Sequence, residues 1–201
     1  GSLALADLDI DGGTDIGAAI VDADLFIIDD GAGGTNRKVT ASRIATYIGD
    51  NNPSFFANQS ADSAQTIGNG SQTKVTLGTE IWDVGGNFGS DKFTVPTGGA
   101  GKYVFHFGGY LVSVTTNGYF QIALYKNGSR LTGAAGASRV FMATSLAQSH
   151  PFASSVVTTL ADDDYIEMYV YQNNQDGGGG DRVLGDANHL AYMSGFKLIG
   201  V

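Results

Sequence analysis

The stretch Tyr165-Ile166-Glu167-Met168-Tyr169-Val170-Tyr171 alternates between two kinds of side chain. Successive side chains of an extended strand point to opposite faces, so Ile166, Met168 and Val170 share one face. Such an apolar face predicts a strand that packs on a core. The opposite face carries three tyrosines, where an ordinary surface strand shows charges and threonines. This stretch therefore predicts a strand with one face in a core and an aromatic face outside it.

A second strand, which starts at Tyr103, has a similar pattern, with Tyr103, Phe105 and Phe107 on one face. Aromatic faces of this kind predict a second buried surface, because tyrosine is enriched where subunits meet. We therefore predict a subunit interface formed by Tyr165, Tyr169, Tyr171, Tyr103 and Phe105. The alternative is that the tyrosines lie on exposed strands without a partner, since scattered surface aromatics are common.

Short apolar runs separated by turns fill the chain from residue 55 to its end. Glycine accounts for 30 of the 201 residues and proline for 3. Turns such as Lys126-Asn127-Gly128 recur roughly every 8–12 residues and separate about ten short strands. We predict an all-β sandwich or jelly roll, because no repeat of roughly 20–50 residues indicates a propeller or solenoid.

The first fifty residues predict a small unit made of a hairpin and a helix. Residues 23–30 form one strand, residues 37–39 form the returning strand, and Thr40 caps a helix that ends at Gly49. The helix is supported by apolar residues at helical spacing: Ala41, Ile44, Ala45 and Ile48. So small a unit buries too little to fold alone, and we expect it to pack with copies from other chains. The predicted domains are residues 1–50, a stalk unit, and residues 51–201, a β-rich head.

Composition limits the partners of the chain. The net charge is −9, so no basic surface favours phosphate, and nucleic acid is not an expected partner. No apolar run approaches the ~20 residues that span a bilayer, and membrane insertion is not expected. The first residues lack the pattern of a signal peptide, and Gly1-Ser2 is typical of a remnant of a removed tag. The natural chain can therefore extend beyond Gly1.

Five motifs in the head occur in the order found in the C1q-like globular head family, whose members are related to the tumour necrosis factor jelly roll. The motifs are PSFFA at 53–57, FTVP and GKYVF within 93–105, IALYKNG at 122–128, LADDDYI at 160–166 and SGFKLI at 194–199. Asp163 stands where the family has glycine. The resemblance implies a jelly-roll head that forms a homotrimer and binds ligands without catalysis.

The first unit resembles a different group of proteins. ADLF at 23–26, a turn rich in glycine, KVT at 38–40 and a helix containing YI at 47–48 resemble a unit common in bacteriophage tail-fibre proteins. No Gly-x-y period precedes Pro53, so the collagen-like stalk of many animal C1q-like proteins is absent. The combination implies the distal end of a phage fibre or similar virion appendage, made in the host cytoplasm, with other appendage proteins as partners.

We expect a ligand to contact loops, because the strands of a sandwich are committed to its core. A count of strand directions back from the last strand places three turns together at the end away from the stalk, at 114–118, 160–164 and 186–189. The predicted receptor contacts on these turns are Thr115, Thr116, Asn117, Asp162, Asp163, Asp186, Asn188 and His189. The leading hypothesis is a homotrimeric head that binds a host cell-surface glycan or protein. The alternative is a collar or shaft cap that trimerises without binding a receptor.

The motifs of an enzyme were sought and not found in the sequence. His106, His150 and His189 lack a second ligand at zinc-site spacing, and the Gly-x-Ser-x-Gly motif is missing. The acidic stretch from Asp7 to Asp11 matches half of a calcium loop but has Ala18 where a glutamate is required. The acidic cluster at 162–164 is interpreted either as a turn between strands or as part of a calcium site. The second interpretation comes from the resemblance, because C1q-like heads sometimes bind calcium between loops. We therefore assign no catalytic residue, no metal site and no cofactor other than the open case of calcium, and we expect no enzymatic activity.

Overall fold

The computed structural model describes residues 15–29, 36–50, 52–61, 64–114, 118–134, 137–143, 148–174 and 182–199. The chain forms two compact units, Gly1–Gly49 and Asp50–Val201. The second unit is referred to below as the head. No helix in the described part of the chain is long and apolar enough to cross a bilayer.

The first unit contains the hairpin and the helix predicted from the sequence. Strand β1, Leu25–Asp29, pairs antiparallel with β2, Asn36–Thr40, and helix α1, Ala41–Asp50, follows without a break. Two free amides at the start of α1 are satisfied by backbone carbonyls, because Ala41 N–H donates to Asp24 and Ser42 N–H donates to Asp22. The Thr40 hydroxyl bonds the Ser42 hydroxyl at 2.9 Å, which differs from the predicted bond to a backbone amide.

Much apolar surface of this unit stays exposed. Ile27 is 67% exposed and Leu25 58%, although both belong to the hairpin. On α1, Tyr47 is 69% exposed and Ile48 47%. The hairpin and helix therefore bury only part of the apolar surface that their sequence supplies.

The head is a sandwich of two antiparallel sheets, which we name the front sheet and the back sheet. The front sheet contains β5 (Gln72–Lys74), β7 (Phe88–Gly89), β8 (Lys92–Thr94), β10 (Gly118–Lys126), β11 (Ser129–Arg130), β12 (Ser138–Ala143) and β14 (Tyr165–Asn174). The back sheet contains β3 (Ser54–Asn58), β4 (Gln65–Ile67), β6 (Thr79–Val84), β9 (Gly101–Val114), β13 (Gln148–Leu160), β15 (Arg182–Leu184) and β16 (Tyr192–Lys197). Spatial neighbours are mostly distant in sequence, and the first and last strands, β3 and β16, pair with each other. This arrangement is a jelly roll, so the predicted all-β sandwich class is confirmed.

The core of the head lies between the two sheets. Ile166, Met168 and Val170 of β14 are fully buried, which confirms the prediction for that face. Phe55 stacks on Phe93 with ring centroids 4.9 Å apart and on Phe88 at 5.0 Å. These contacts join the front and back sheets through an aromatic cluster.

Long strands define two ends of the head. We call the end at Pro53, Gly101 and Leu160 the base, since Leu160 pairs with Gly101 and Lys197 N–H donates to the Pro53 carbonyl. Strand β9 runs from Gly101 at the base to the opposite end, which we call the tip. Gly101 and Tyr110 are separated by roughly 30 Å at about 3.3 Å per residue. The base is therefore the end at which the head's first strand begins and its last strand ends.

Candidate functional site

A compact polar loop, which we call the tip loop, lies between β15 and β16 beside Tyr110, in the half of the head nearer the tip. The Asp186 carboxylate accepts hydrogen bonds from the N–H groups of Asn188 and His189, at 2.8 and 2.9 Å, and contacts His189 Nδ1 at 2.8 Å. The N–H bond from Asn188 and then the His189 side chain lower the pKa of Asp186. The His189 ring stacks on Tyr110 with centroids 4.2 Å apart and planes inclined by 14°. Asn188 and His189 remain exposed to solvent on a loop whose backbone is internally bonded.

A buried glutamine that the sequence analysis missed holds both ends of this loop. Gln59 is 1% exposed. Its Nε2 donates to the Leu184 carbonyl at 3.2 Å, and its Oε1 accepts from the Ala191 N–H at 2.8 Å. Leu184 and Ala191 flank the loop. Gln59, which directly follows β3, therefore fixes a loop that lies more than a hundred positions later in the chain. No local motif around Gln59 signals this role.

The prediction that three turns meet at the tip is wrong for the turn at 160–164. Leu160 pairs with Gly101, and Asp163 N–H donates to the Val95 carbonyl at 3.0 Å, which places this turn at the base. Strand β14 begins directly after the turn and ends with Asn174 beside Gly118. A strand of ten residues thus separates the turn from the tip. Asp162 and Asp163 cannot contribute to one site with Asp186, Asn188 and His189.

The predicted contacts Thr115, Thr116 and Asn117 lie outside the described residues. The strands on either side of them are described: β9 ends at Val114, and β10 begins at Gly118. Both of these strand ends are at the tip. The part of the prediction that concerns these three residues stays a prediction.

Two of the three clustered aspartates at the base bond to neighbouring loops. Asp162 accepts from Gly98 N–H and Ala100 N–H, both at 2.8 Å, and these bonds lower its pKa. Asp164 accepts from Asn127 Nδ2 at 2.7 Å and from Ala161 N–H at 2.6 Å, and it pairs with Lys126 Nζ at 2.6 Å. Asp163 is exposed and has a left-handed backbone, with φ of 65°. Within the described ranges, no three His, Cys, Asp or Glu side chains are grouped as a metal site would need.

The tyrosines of β14 lie on the outer face of the front sheet and are paired there. The Tyr169 ring is inclined by 34° to the Tyr125 ring with centroids 4.1 Å apart, and the Tyr171 ring lies 5.7 Å from Tyr119. Burial, followed by the charge of Glu167, raises the pKa of Tyr169. Each of these rings is partly buried by its neighbours within one protomer.

Tyr103 and Phe105 were predicted to lie at a subunit interface, and that prediction is wrong. Both side chains are 0% exposed in a single protomer, because they pack in the sandwich core. The Tyr103 hydroxyl donates to the Gly99 carbonyl at 2.7 Å, and burial, with a smaller effect of Asp162, raises its pKa to about 12. Side chains enclosed in this way cannot reach a neighbouring subunit.

The outer face of the back sheet carries a group of apolar side chains around His106 and Ser194, which we call the back patch. It consists of Phe56, Trp82, Val104, Val157, Tyr192 and Phe196, whose strands are neighbours in the sheet. Trp82 is 49% exposed, Phe196 42% and Val157 54%. Phe56 links Trp82 and Tyr192, with ring centroids 5.2 and 6.3 Å away. No sequence motif marks this patch, because its members come from five strands.

Comparison with known proteins gives a likeness of fold. No protein-family profile matches the chain, and no curated protein matches it. The chain is similar to the solved globular domain of zebrafish complement 1qA protein, with 18% identity and a TM-score of 0.48 over 73% of this chain and 97% of that one. It is also similar to murine APRIL at pH 5.0, with 13% identity, a TM-score of 0.49 and coverage of 73% and 99%. It is similar as well to the PRD1 vertex protein P5, with 15% identity and a TM-score of 0.48 over 73% of this chain and 96% of that one.

Proposed function

We propose that this chain is a homotrimeric receptor-binding head of a phage tail fibre or similar virion appendage, and that its tip contacts a host cell-surface component. The observation that carries the proposal is the tip loop, where Asp186 and Gln59 hold Asn188 and His189 in an exposed, fixed arrangement. Loops held rigidly by a scaffold are where binding residues concentrate. The virion setting rests on the resemblance of residues 23–48 to phage tail-fibre units.

Self-association is supported by the apolar surface that one protomer leaves exposed. Contiguous exposed apolar patches on soluble proteins mark interaction sites. Trp82, Phe196 and Val157 lie in the back patch, and each is at least 42% exposed. The hairpin and helix of the first unit present further apolar side chains, as Ile27 and Tyr47 illustrate.

The back patch fits the subunit interface better than the tyrosines of the front sheet. On the front sheet, Tyr125 and Tyr169 cover each other, and Lys92 Nζ lies 4.5 Å above the Tyr165 ring. The Lys74–Glu167 ion pair, at 2.7 Å, also lies on that face. Charged side chains are depleted in interface cores, where aromatic residues are enriched. We therefore assign the interface to the back patch, with the front tyrosines as the alternative.

Trimerisation would present three tips and raise the avidity of binding without a new contact, because later binding events occur at a high effective concentration. The polar side chains of Asn188 and His189 suit hydroxyl and amide groups on a cell surface. The proposal involves binding alone, with no catalytic step and no cofactor.

The test is the binding of the fluorescently labelled full chain to intact cells of a panel of bacterial strains. We expect binding to at least one strain, and we expect Asn188→Ala and His189→Ala each to weaken it about tenfold, as the loss of a well-made polar contact does. Asp22→Asn, in the first unit, is the control. Unchanged binding by both tip variants, with the oligomer intact, would place the site elsewhere.

The alternative function is a collar or shaft cap. It predicts that the chain assembles as the receptor-binding head does but binds no strain in the panel. The exposed, ordered Asn188 and His189 side chains favour the receptor-binding head, because a cap has no need of a fixed polar loop at its tip.

A further inference from the structure

An open cleft of about 480 Å³ lies at the base of the head, far from the tip loop. Its walls come from the β7–β8 hairpin, the turn after β8 and the turn at 160–164. The polar and aromatic side chains that line it are Asn87, Phe88, Ser90, Thr94, Thr97 and Asp163. Ligand pockets have volumes of roughly 300–1,000 Å³, so the cleft has the size of a site for one or two sugar rings.

The chemistry of the lining selects among ligand classes. The lining has three hydroxyl groups, one carboxylate, one aromatic ring and the Asn87 amide, whose Nδ2 donates to the Val84 carbonyl at 2.9 Å. No lysine or arginine is among the described lining residues. Lys74 Nζ bonds the Ser90 carbonyl at 2.8 Å, but it is already paired with Glu167 at 2.7 Å, so a phosphate or another anion would have to compete with that carboxylate. A calcium ion takes 6–8 oxygen ligands, of which one carboxylate is too small a part.

A neutral saccharide matches this lining both with its hydroxyl groups and with the apolar C–H face of its ring. Its hydroxyl groups donate and accept hydrogen bonds, as the hydroxyl, amide and carboxylate groups of the cleft require. Its C–H face is apolar and packs against an aromatic ring such as Phe88. Phe88 is itself fixed, because it stacks on Phe55 of the core at 5.0 Å.

The cleft is built before any ligand arrives. Ser90 and Asp163 have left-handed backbones, with φ of 52° and 65°, which few residues other than glycine adopt. Asp163 is held there by its N–H bond to Val95, and Thr94 N–H donates to the Asn87 carbonyl at 2.8 Å. A site fixed in this way loses little conformational entropy on binding.

We propose that the base cleft binds a neutral saccharide, with Asp163 and Asn87 bonding its hydroxyl groups and Phe88 packing against its ring. The adjacent Asp162 and Asp164 are occupied by bonds within the protein, so the exposed Asp163 carboxylate supplies the acidic group. This site is independent of the tip, because the base and the tip are opposite ends of the sandwich.

The test is a titration of the isotopically labelled full chain with glucose, galactose, mannose and N-acetylglucosamine. The amide chemical shifts are measured by NMR at each sugar concentration. Saturable shifts at Gly89, Ser90 and Asp163 are expected with at least one sugar. Asp163→Asn keeps a residue that tolerates a left-handed backbone but removes the charge. It should weaken the affinity roughly tenfold, as loss of one hydrogen bond to a charged group does.

Gly89 provides a second variant that does not depend on Asp163. A Cβ added at Gly89 meets no atom within 4 Å, and its backbone is not left-handed, so Gly89→Gln should fold normally. Glutamine at this position, which pairs with Lys92 in the hairpin, adds a long side chain to the lining and should weaken the shifts. Gly49→Gln in α1, where a Cβ also meets nothing within 4 Å, is the matched control and should leave the affinity unchanged.

Three results would overturn the proposal: no saturable shift with any of the sugars, affinities that both cleft variants leave unchanged, or shifts at these amides with calcium chloride alone. The last result would identify a cation site. His189→Ala should leave the sugar titration unchanged while it weakens cell binding, so failure at the cleft is distinguishable from failure at the tip.

Discussion

At the scale of single residues, Gly195 shows how closely the core is packed. A Cβ at this position would lie 2.6 Å from Phe105 Cδ1 and 3.0 Å from Phe55 Cε1. Overpacking of a filled core costs about 1–3 kcal/mol. We expect Gly195→Ala to lower the free energy of unfolding by about that amount, measured by urea denaturation. Gly49→Ala is the control, because its Cβ meets no atom; equal stability of the two variants would contradict the packing described for Gly195.

The carboxylates at the base predict how the head responds to acid. Burial disfavours ionised Asp164, yet the bonds from Lys126, Ala161 and Asn127 outweigh it and lower its pKa below 3.8. A carboxyl whose pKa is lower when folded stabilises the protein above its unfolded pKa, and that stability is lost as the pH falls through the folded pKa. The melting temperature should therefore decline once the pH drops below about 3.8.

Asp164→Asn tests this assignment by calorimetry over a pH series. The variant should melt at a lower temperature near neutral pH, because Lys126 loses its partner. Its melting temperature should also depend less on pH in the acid range than that of the natural chain. Asp22→Asn, which removes one charge from the first unit, should change neither property. An acid dependence as steep as that of the natural chain would show that other groups cause the decline.

Residue patterns predict which side chains share a face better than they predict which face is buried. The alternation in β14 correctly placed Ile166 and Val170 in the core. The same alternation put Tyr103 and Phe105 on a common face, but it could not show that this face lies inward, since tyrosine occurs both in cores and at interfaces. Burial on the second strand was decided by partners that are distant in sequence, such as Phe93 at 5.6 Å from Tyr103.

At the scale of elements, the strand directions explain the error about the turns. Strands β15 and β16 both run antiparallel to β9. The chain therefore keeps the same direction before and after the loop at 186–189, and this loop is not a turn that reverses the chain. One strand, β14, then separates the turn at 160–164 from the tip. The base cleft could not be predicted at all, because it forms only where Val95 and Asp163 bond across the sheets' ends.

The fixed conformation of the tip loop should depend on Gln59, which bonds both ends of the loop. Gln59→Met keeps the volume of the side chain but leaves the Leu184 carbonyl and the Ala191 N–H without these bonds. An unsatisfied buried polar group costs about 1–3 kcal/mol. We expect faster amide hydrogen exchange across residues 185–191 and weaker cell binding, while amides of β14 remain protected. Unchanged exchange at the loop would show that Gln59 does not hold it.

At the scale of the whole molecule, the proposed function depends most on threefold assembly through the back patch. The surface of one protomer supports assembly, since Trp82, Val157 and Phe196 are exposed together. Val157→Asp places a charge in the patch at a side chain that is 54% exposed, so the fold of the protomer should survive. Tyr169→Asp makes the equivalent change on the front sheet.

The most direct test is the mass of the full chain by sedimentation equilibrium at micromolar concentration, measured for the natural chain and for these two variants. The natural chain should have three times the chain mass of 20.8 kDa, and Tyr169→Asp should keep that mass. Val157→Asp should shift the equilibrium toward 20.8 kDa, because an unpaired charge in a buried interface is strongly unfavourable. A natural chain that sediments as a monomer of 20.8 kDa would contradict threefold assembly. A trimer that Tyr169→Asp dissociates and Val157→Asp does not would move the interface to the front sheet.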